Sequence, residues 1–385
     1  MSFPLALADT ITPPLNPENC QALFQLVETH IAEQRYPGCQ LAIAWQGKLL
    51  VNRSFGLSRT GSAQATDTQP LKAENHHLWL LYSNTKILVA TALWKLFEQG
   101  RLRFTDRVAD HLSGFEAHGK QDISLLQVIT HQGGFPDAVV PADIWQNHAL
   151  IKQAVCDFPL QWAPGSRVHY HGLSAHWVLA MVMETITGQD FRQVIHDLVL
   201  APLGLADDIF MGLPASQAHR LAYLYEPDAA APLGQKLRDE STDLNWQTAG
   251  VPGGGAYGTA RGMAALYQMM LAGGRLNGVQ LLSPETLAYA IQNHTGERMD
   301  EFMGMPMHRG LGPHLRGNTP TIRGLGSLAP ANAFGHGGVG TSYCWADPNS
   351  GVSFAYLTNS RVADPWHSER LNNISNAVYQ AIANA

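Results

Sequence analysis

The sequence predicts an α+β fold: an antiparallel sheet built from N- and C-terminal segments, flanked by helices, with a mostly helical region inserted between its two halves. Three observations predict it. Strand-like apolar runs, Cys39–Trp45, Lys48–Ser54, Phe334–Ala346 and Val352–Asn359, lie toward the two ends of the 385-residue chain. Between them the apolar residues recur at helical spacing, as in His176–Thr187 and Arg261–Ala272. Helical patterns at 17–34 and 366–383 provide helices to flank the sheet. The expected division is one discontinuous sheet domain, residues 1–75 with 300–385, around an inserted helical domain, 76–299. A cleft between two such lobes suits a small-molecule site.

Each element has a local reason. Residues 17–34 set Leu23, Leu26, Val27, His30 and Ile31 on a helical period that stops near Pro37-Gly38. Cys39–Trp45 and Lys48–Ser54 flank Gln46-Gly47, a tight-turn signal that makes them a hairpin. Residues 58–76 are polar and rich in Gly, Ser and Thr, and read as a surface loop. After Ser83 comes an apolar run, Ile87, Leu88, Val89, Ala90, Leu93, Leu96 and Phe97, that Gly100 ends as a helix. Ser283-Pro284-Glu285 has the form of a capped helix start. Asp347-Pro-Asn-Ser-Gly351 is a turn between the two C-terminal strand runs.

Composition removes several function classes. Hydrophobic residues make up 45% and charged residues 15%, which is globular rather than disordered. A formal net charge of -6 gives no reason to expect nucleic acid or an anionic membrane as partner. No apolar stretch reaches the length of a membrane span. The N-terminus has no basic side chain before Arg35, so it lacks the charged start of a secretory signal and a cytoplasmic location is expected. Cys20, Cys39, Cys156 and Cys344 are scattered with no C-x-x-C pair, and read as buried free thiols rather than a zinc or disulfide framework. His169, His171 and His176 cluster without a nearby carboxylate or Cys to complete a ligand set, so no metal and no cofactor are expected.

The chemistry is concentrated in Ser83-Asn84-Thr85-Lys86. On a helix, residues three apart share a face, so the Ser83 hydroxyl and Lys86 amine are placed to meet. No other lysine in the chain has a serine three positions before it. A neutral lysine in that geometry can take the serine proton and make a nucleophile. A free lysine titrates near about 10.4, so the amine must be buried to act as a base at neutral pH. Alone, the tetrapeptide reads better as a capped helix start with a solvated lysine, and the motifs that follow reverse that preference. The nucleophile elbow G-x-S-x-G is absent; Gly172-Leu-Ser174-Ala-His176 is the nearest miss.

Further motifs follow in order: Val128-Ile-Thr-His131-Gln-Gly-Gly-Phe-Pro136, Pro164-Gly165-Ser-Arg-Val-His-Tyr170-His-Gly172, Pro252-Gly-Gly-Gly-Ala-Tyr-Gly258 and Phe334-Gly-His336-Gly337-Gly338-Val339-Gly340. With these the chain resembles the serine β-lactamase and penicillin-binding-protein superfamily. Within it, the likeness is to the branch of class C β-lactamases, D-amino-acid peptidases and family VIII carboxylesterases, from about Cys20 to the C-terminal helix. The resemblance implies Ser83 as nucleophile, Lys86 as its partner in an S-x-x-K motif, and Tyr170 as the tyrosine of the Y-x-N element. His336-Gly337-Gly338 falls where the family has K-T-G or H-x-G, which implies substrate contact from His336, Gly337 and Gly338. Backbone N–H groups of Ser83 and Val339 would form the oxyanion hole. His131 is expected to shape a turn, and Gly253–Gly255 to form a tight turn lining the cleft.

Two departures matter. Gly172 stands where lactam-cleaving members carry Asn, and His336 replaces Lys. Both weaken recognition of a β-lactam or peptide carboxylate and leave the acylation machinery intact. The expectation is a carboxylic-ester hydrolase acting on a small-molecule ester or amide. A β-lactamase, a D-amino-acid peptidase or an acyltransferase of the same superfamily is the alternative.

Overall fold

The computed structural model describes residues 3–61, 69–319 and 324–383. Its main sheet has eight strands drawn from both ends of the chain. The N-terminal hairpin is β1 (Gly38–Trp45) and β2 (Lys48–Arg59), turning at Gln46-Gly47. The C-terminal strands are β3 (Phe334–Gly338), β4 (Ser342–Asp347) and β5 (Val352–Thr358). The halves join where β5 runs antiparallel to β1, from Val352 opposite Trp45 to Thr358 opposite Cys39. Short strands Ala6–Leu7 and His314–Leu315 finish the edges, and Leu71–Lys72 pairs with β2. The run 334–346 is thus a hairpin rather than one strand. It breaks at Val339-Gly340-Thr341, where Gly340 takes φ +66° and Gly338 pairs with Ser342. The strand after Gly47 is longer than expected and runs through Arg59. Residues 62–68 of the expected loop lie outside the described residues.

Both faces of the sheet are covered, and the period-2 alternation sorts its side chains. Cys39, Leu41, Ile43, Trp345, Phe354 and Tyr356 face α1 (Pro17–Ala32) and α5 (Trp366–Ala383). Ala42, Ala44, Cys344, Ala346, Ala355 and Leu357 face the helices between. On that side α4 (Ala260–Leu271) lies against the sheet, its Gln268 donating to the Ala44 and Gly351 carbonyls (3.1 and 2.9 Å). The small alanines permit that approach. Behind it runs α2 (Thr85–Glu98), packed on α3 (Ser174–Thr187).

Eleven of the fourteen residues of α2 are buried. A helix apolar all round belongs in a core, and that sets the surroundings of Lys86. A three-stranded sheet, Trp79–Leu80, Ala256–Gly258 and Ile209–Met211, braces the approach to α2 and has no counterpart in the sequence reading. Cys20, Cys39 and Cys344 are buried free thiols, with Cys39 and Cys344 on strands; Cys156 is half-exposed. Among the described residues, no helix is long and apolar enough to cross a membrane.

Candidate active site

Ser83 sits mid-way along a single 3-10 turn, Tyr82–Asn84, that leads directly into α2. N–H groups at a helix start have no intrahelical acceptor and face outward, ready for an anion. Tyr82 adopts φ +44°, a left-handed conformation unfavourable for a bulky residue. Its neighbours compensate. The Tyr82 hydroxyl donates to Glu240 Oε1 (2.7 Å), and Arg238 grips that carboxylate through two N–H groups at 3.0 Å each. The Leu81 N–H donates to the Ala256 carbonyl (2.9 Å), and Thr85 Oγ1 accepts from the Ala256 N–H (3.0 Å).

One helical turn on, Lys86 is fully buried. Its Nζ lies 3.1 Å from Ser83 Oγ, 2.8 Å from the Gly172 carbonyl oxygen and 2.6 Å from that of Gly253. Burial pushes the amine below the usual lysine range; the Tyr170 phenol opposes the shift and the Arg309 guanidinium adds to it. A neutral amine has two hydrogens and one lone pair. Two carbonyls take the hydrogens, which leaves the lone pair for the Ser83 hydroxyl.

Tyr170 completes the convergence, its hydroxyl donating to Ser83 Oγ (2.8 Å). The segment carrying it is held by the two earlier motifs. His131 takes φ +62° at its turn, accepts the His169 N–H on its carbonyl (3.0 Å) and the His171 N–H on Nδ1 (3.1 Å). Its ring lies 4.7 Å from that of Tyr170, with Phe302 also beside the phenol at 5.8 Å. Gly165 donates its N–H to the Gln132 carbonyl (2.8 Å), which links the Pro164-Gly165 turn to the His131 motif. His171 Nδ1 donates to the His169 carbonyl (2.6 Å) and its Nε2 accepts the Phe135 N–H (3.2 Å). His176 is buried on α3, and neither of its ring nitrogens has a hydrogen-bond partner among the described residues. Burial holds all three of these imidazoles below the usual histidine range, His171 down to about 4.

The third element runs alongside. Asn84, oriented so that both ends of its amide are satisfied, donates to the His336 carbonyl (2.6 Å) and accepts from Ser342 Oγ (2.9 Å) and the Gly338 N–H (3.2 Å). This stitches β3 to the residue beside Ser83. A methyl on Gly338 would fall 2.6 Å from the Leu81 carbonyl oxygen, so only glycine admits that approach. Val339 follows at the hairpin tip, half-exposed. The His336 side chain is 4% exposed, packed near His314 and Tyr170 with ring centroids 5.4 and 6.3 Å away. Burial, then His314 and Lys86, pushes it well below the usual histidine range, so it is a neutral imidazole.

The structure therefore brings Ser83, Lys86 and Tyr170 into hydrogen-bonding contact and sets β3 beside them. Gly172 contributes its carbonyl to Lys86, and a methyl there would meet nothing within 4 Å. Two participants escape sequence reasoning. The Gly253 carbonyl is one, held in place by Gly254 and Gly255 N–H groups on the Val251 carbonyl (2.9 and 2.7 Å). Asn84 is the other. Among the described residues one further cluster, His148, Glu184 and Asp190, has metal-ligand spacing. There His148 Nδ1 pairs with Glu184 (2.6 Å) and Arg192 with Asp190, so a protein cation already serves the carboxylates.

Known proteins resemble the chain over most of its length. A family model described as beta-lactamase matches residues 23–377. A relative from Escherichia coli O157:H7, provisionally named a D-alanyl-D-alanine carboxypeptidase, is 28% identical over 86% of this chain and 80% of its own. The esterase/beta-lactamase LipL of Mycobacterium tuberculosis (strain ATCC 25618 / H37Rv) is 25% identical over 86% of this chain and 79% of its own. A crystal structure of a family VIII carboxylesterase superposes with a TM-score of 0.80 at 25% identity, covering 97% of this chain and 99% of that one. A penicillin-binding-protein homologue from Caulobacter crescentus shares the fold, with a TM-score of 0.79 at 24% identity over 95% of this chain and 98% of its own. The chain belongs to the beta-lactamase family, within the superfamily of serine hydrolases.

Proposed function

We propose that the protein is a carboxylic-ester hydrolase that works through an acyl-enzyme on Ser83. The observation that carries this reading is the convergence on Ser83 Oγ of Lys86 Nζ at 3.1 Å and the Tyr170 hydroxyl at 2.8 Å. Neutral Lys86 accepts the Ser83 proton as Oγ attacks the ester carbonyl. The oxyanion forms against the backbone N–H groups of Ser83 and Val339, each such donor being worth about 3–4 kcal/mol in the transition state. Tyr170 gives its proton to the departing alkoxide and is reloaded from Lys86. Water then enters, loses its proton back through the same pair, and releases the acid.

Preference for esters over lactams or peptides rests on what flanks the trio. Gly172 has no side-chain amide to bind a substrate amide, and leaves open space there. His336 is buried and uncharged, so it supplies no cation for a substrate carboxylate. What the His336–Val339 segment offers is backbone, with Gly337 and Gly338 keeping the approach clear.

A rate comparison on purified protein tests the assignment. Short-chain nitrophenyl esters are expected to show the highest kcat/KM, and Ser83→Ala to abolish their turnover. Faster cleavage of a chromogenic cephalosporin or a D-Ala dipeptide would move the assignment to amide bonds. Preferential transfer to an added alcohol would make the protein an acyltransferase.

A further inference from the structure

Behind Tyr170 lies an ion pair with no solvent access to speak of: the Arg309 side chain is 3% exposed and that of Asp300 is 0%. Arg309 Nε donates to Asp300 Oδ2 (2.9 Å), and Nη2 donates to the same oxygen. The other carboxylate oxygen, Oδ1, accepts three backbone N–H groups, from Tyr170 (3.2 Å), Phe302 (3.1 Å) and Met303 (3.2 Å). A parallel bridge between Val168 and Asp300, with the Glu301 N–H on the Val168 carbonyl (2.9 Å), runs the two segments side by side. The guanidinium carbon lies 5.0 Å from the Tyr170 ring centroid, and Lys86 Nζ lies 5.1 Å from it. Arg309 is itself fixed, its N–H donating to Thr295 Oγ1 (3.0 Å) and its carbonyl accepting from the His294 N–H (2.8 Å).

A buried ion pair recovers little net stability once both ions have left water. What needs explaining is what this one holds. We propose that Asp300 and Arg309 are positioning residues for Tyr170: the carboxylate fixes its backbone and the guanidinium bears on its ring, so that the phenol oxygen stays on Ser83 Oγ. This rests on the reading of Tyr170 as a proton-transfer group. A second effect follows from charge. Arginine stays protonated at any working pH, and its fixed positive field favours the uncharged form of Lys86, the form that can act as a base.

His308, next to Arg309 in sequence, is buried with its ring bonded to Asn293 and Thr319. The groups around Lys86 and Tyr170 include the imidazoles of His131, His171, His176, His314 and His336 and the Tyr343 phenol. Burial keeps each of them uncharged around neutrality. Lys86 is therefore the member of this set whose charge state an acid limb would report.

The test is the pH profile of nitrophenyl butyrate hydrolysis, with thermal unfolding alongside, for wild type, Tyr170→Phe, Arg309→Lys and the double variant Asp300→Asn/Arg309→Gln. The double variant removes both charges, so neither is left buried alone. It is expected to fold, to lose about 10²-fold in kcat, the scale of a reacting group displaced by an ångström, with KM little changed. Its acid limb is expected at higher pH, because of the two charges removed the Arg309 guanidinium is the one that acts on Lys86, and its loss raises the pKa of that amine. Arg309→Lys keeps the charge but not the two-pronged grip, so kcat falls while the limb stays near its wild-type position. Wild-type kcat and limb with only a lower melting temperature would overturn the inference. Should the double variant not fold, Arg309→Lys decides alone: reduced kcat with an unmoved limb supports it, and wild-type kcat overturns it. If Tyr170→Phe is inactive while the pair variants are fully active, this inference alone fails. If Tyr170→Phe is itself fully active, the proposed role of Tyr170 fails and takes the inference with it.

Discussion

At the scale of single residues, the balance at Lys86 decides the chemistry. Its amine is fully buried, with two backbone carbonyls and one hydroxyl as neighbours. The Tyr170 phenol favours an ammonium, while desolvation and the Arg309 guanidinium disfavour it; desolvation is the largest effect. A base must be unprotonated to work. The kcat/KM for ester hydrolysis is therefore expected to fall as pH drops through the lowered pKa of Lys86 and to be flat above it, well before a free lysine would titrate. A profile still climbing at pH values near about 10.4 would mean that the amine is not the base. The pairing of Ser83 with Lys86 was legible because helical spacing alone puts the two on one face. Tyr170 was legible only through resemblance, since nothing local marks a phenol 87 residues away as a partner. The carbonyls of Gly172 and Gly253 carry no side-chain signature at all. Asp300 sits 130 residues from the N–H it accepts, and Arg309 next to it in space reads in sequence as an ordinary charged residue.

At the scale of elements, the site is a junction between the first turn of α2 and the β3–β4 hairpin. Asn84 makes the junction, fully buried and bonded to His336, Gly338 and Ser342. Asn84→Ala would strand a carbonyl and an N–H in the interior, each unsatisfied group costing about 1–3 kcal/mol. It would also free the strand that carries the Val339 N–H. The expected outcome is a lower melting temperature together with a kcat reduced about 10-fold or more, since one oxyanion donor is worth about 10²-fold when removed outright. A variant that loses stability but keeps kcat would show that the hairpin holds its place without Asn84. The hairpin break itself was missed because Phe334–Ala346 reads as a single strand across Gly340-Thr341-Ser342, a polar interruption only three residues long. The pairing of Gly338 with Ser342 and the positive φ of Gly340 define the turn. Its glycines, 337, 338 and 340, were the local signal in the sequence; Gly337 and Gly338 read there as substrate contacts, and Gly340 had no role assigned to it.

At the scale of the whole molecule, the fold was legible because each layer follows a period. Strands at both termini read as one sheet once the middle proved helical, and β5 pairing with β1 closes it. The small bracing sheet through Trp79–Leu80 was not legible, because strands of two or three residues are too short to show alternation. Closure of the sheet brings the N-terminal nucleophile and the C-terminal β3 together, so the proposed acyl-enzyme is a property of the complete chain. Intact-protein mass spectrometry of enzyme quenched during turnover of a nitrophenyl ester tests it most directly. The expected result is a mass increase equal to one acyl group, mapped by digestion to the peptide holding Ser83 and absent from Ser83→Ala. Steady ester turnover with no adduct on that peptide, and an undiminished rate in Ser83→Ala, would contradict the nucleophile assignment and the mechanism built on it.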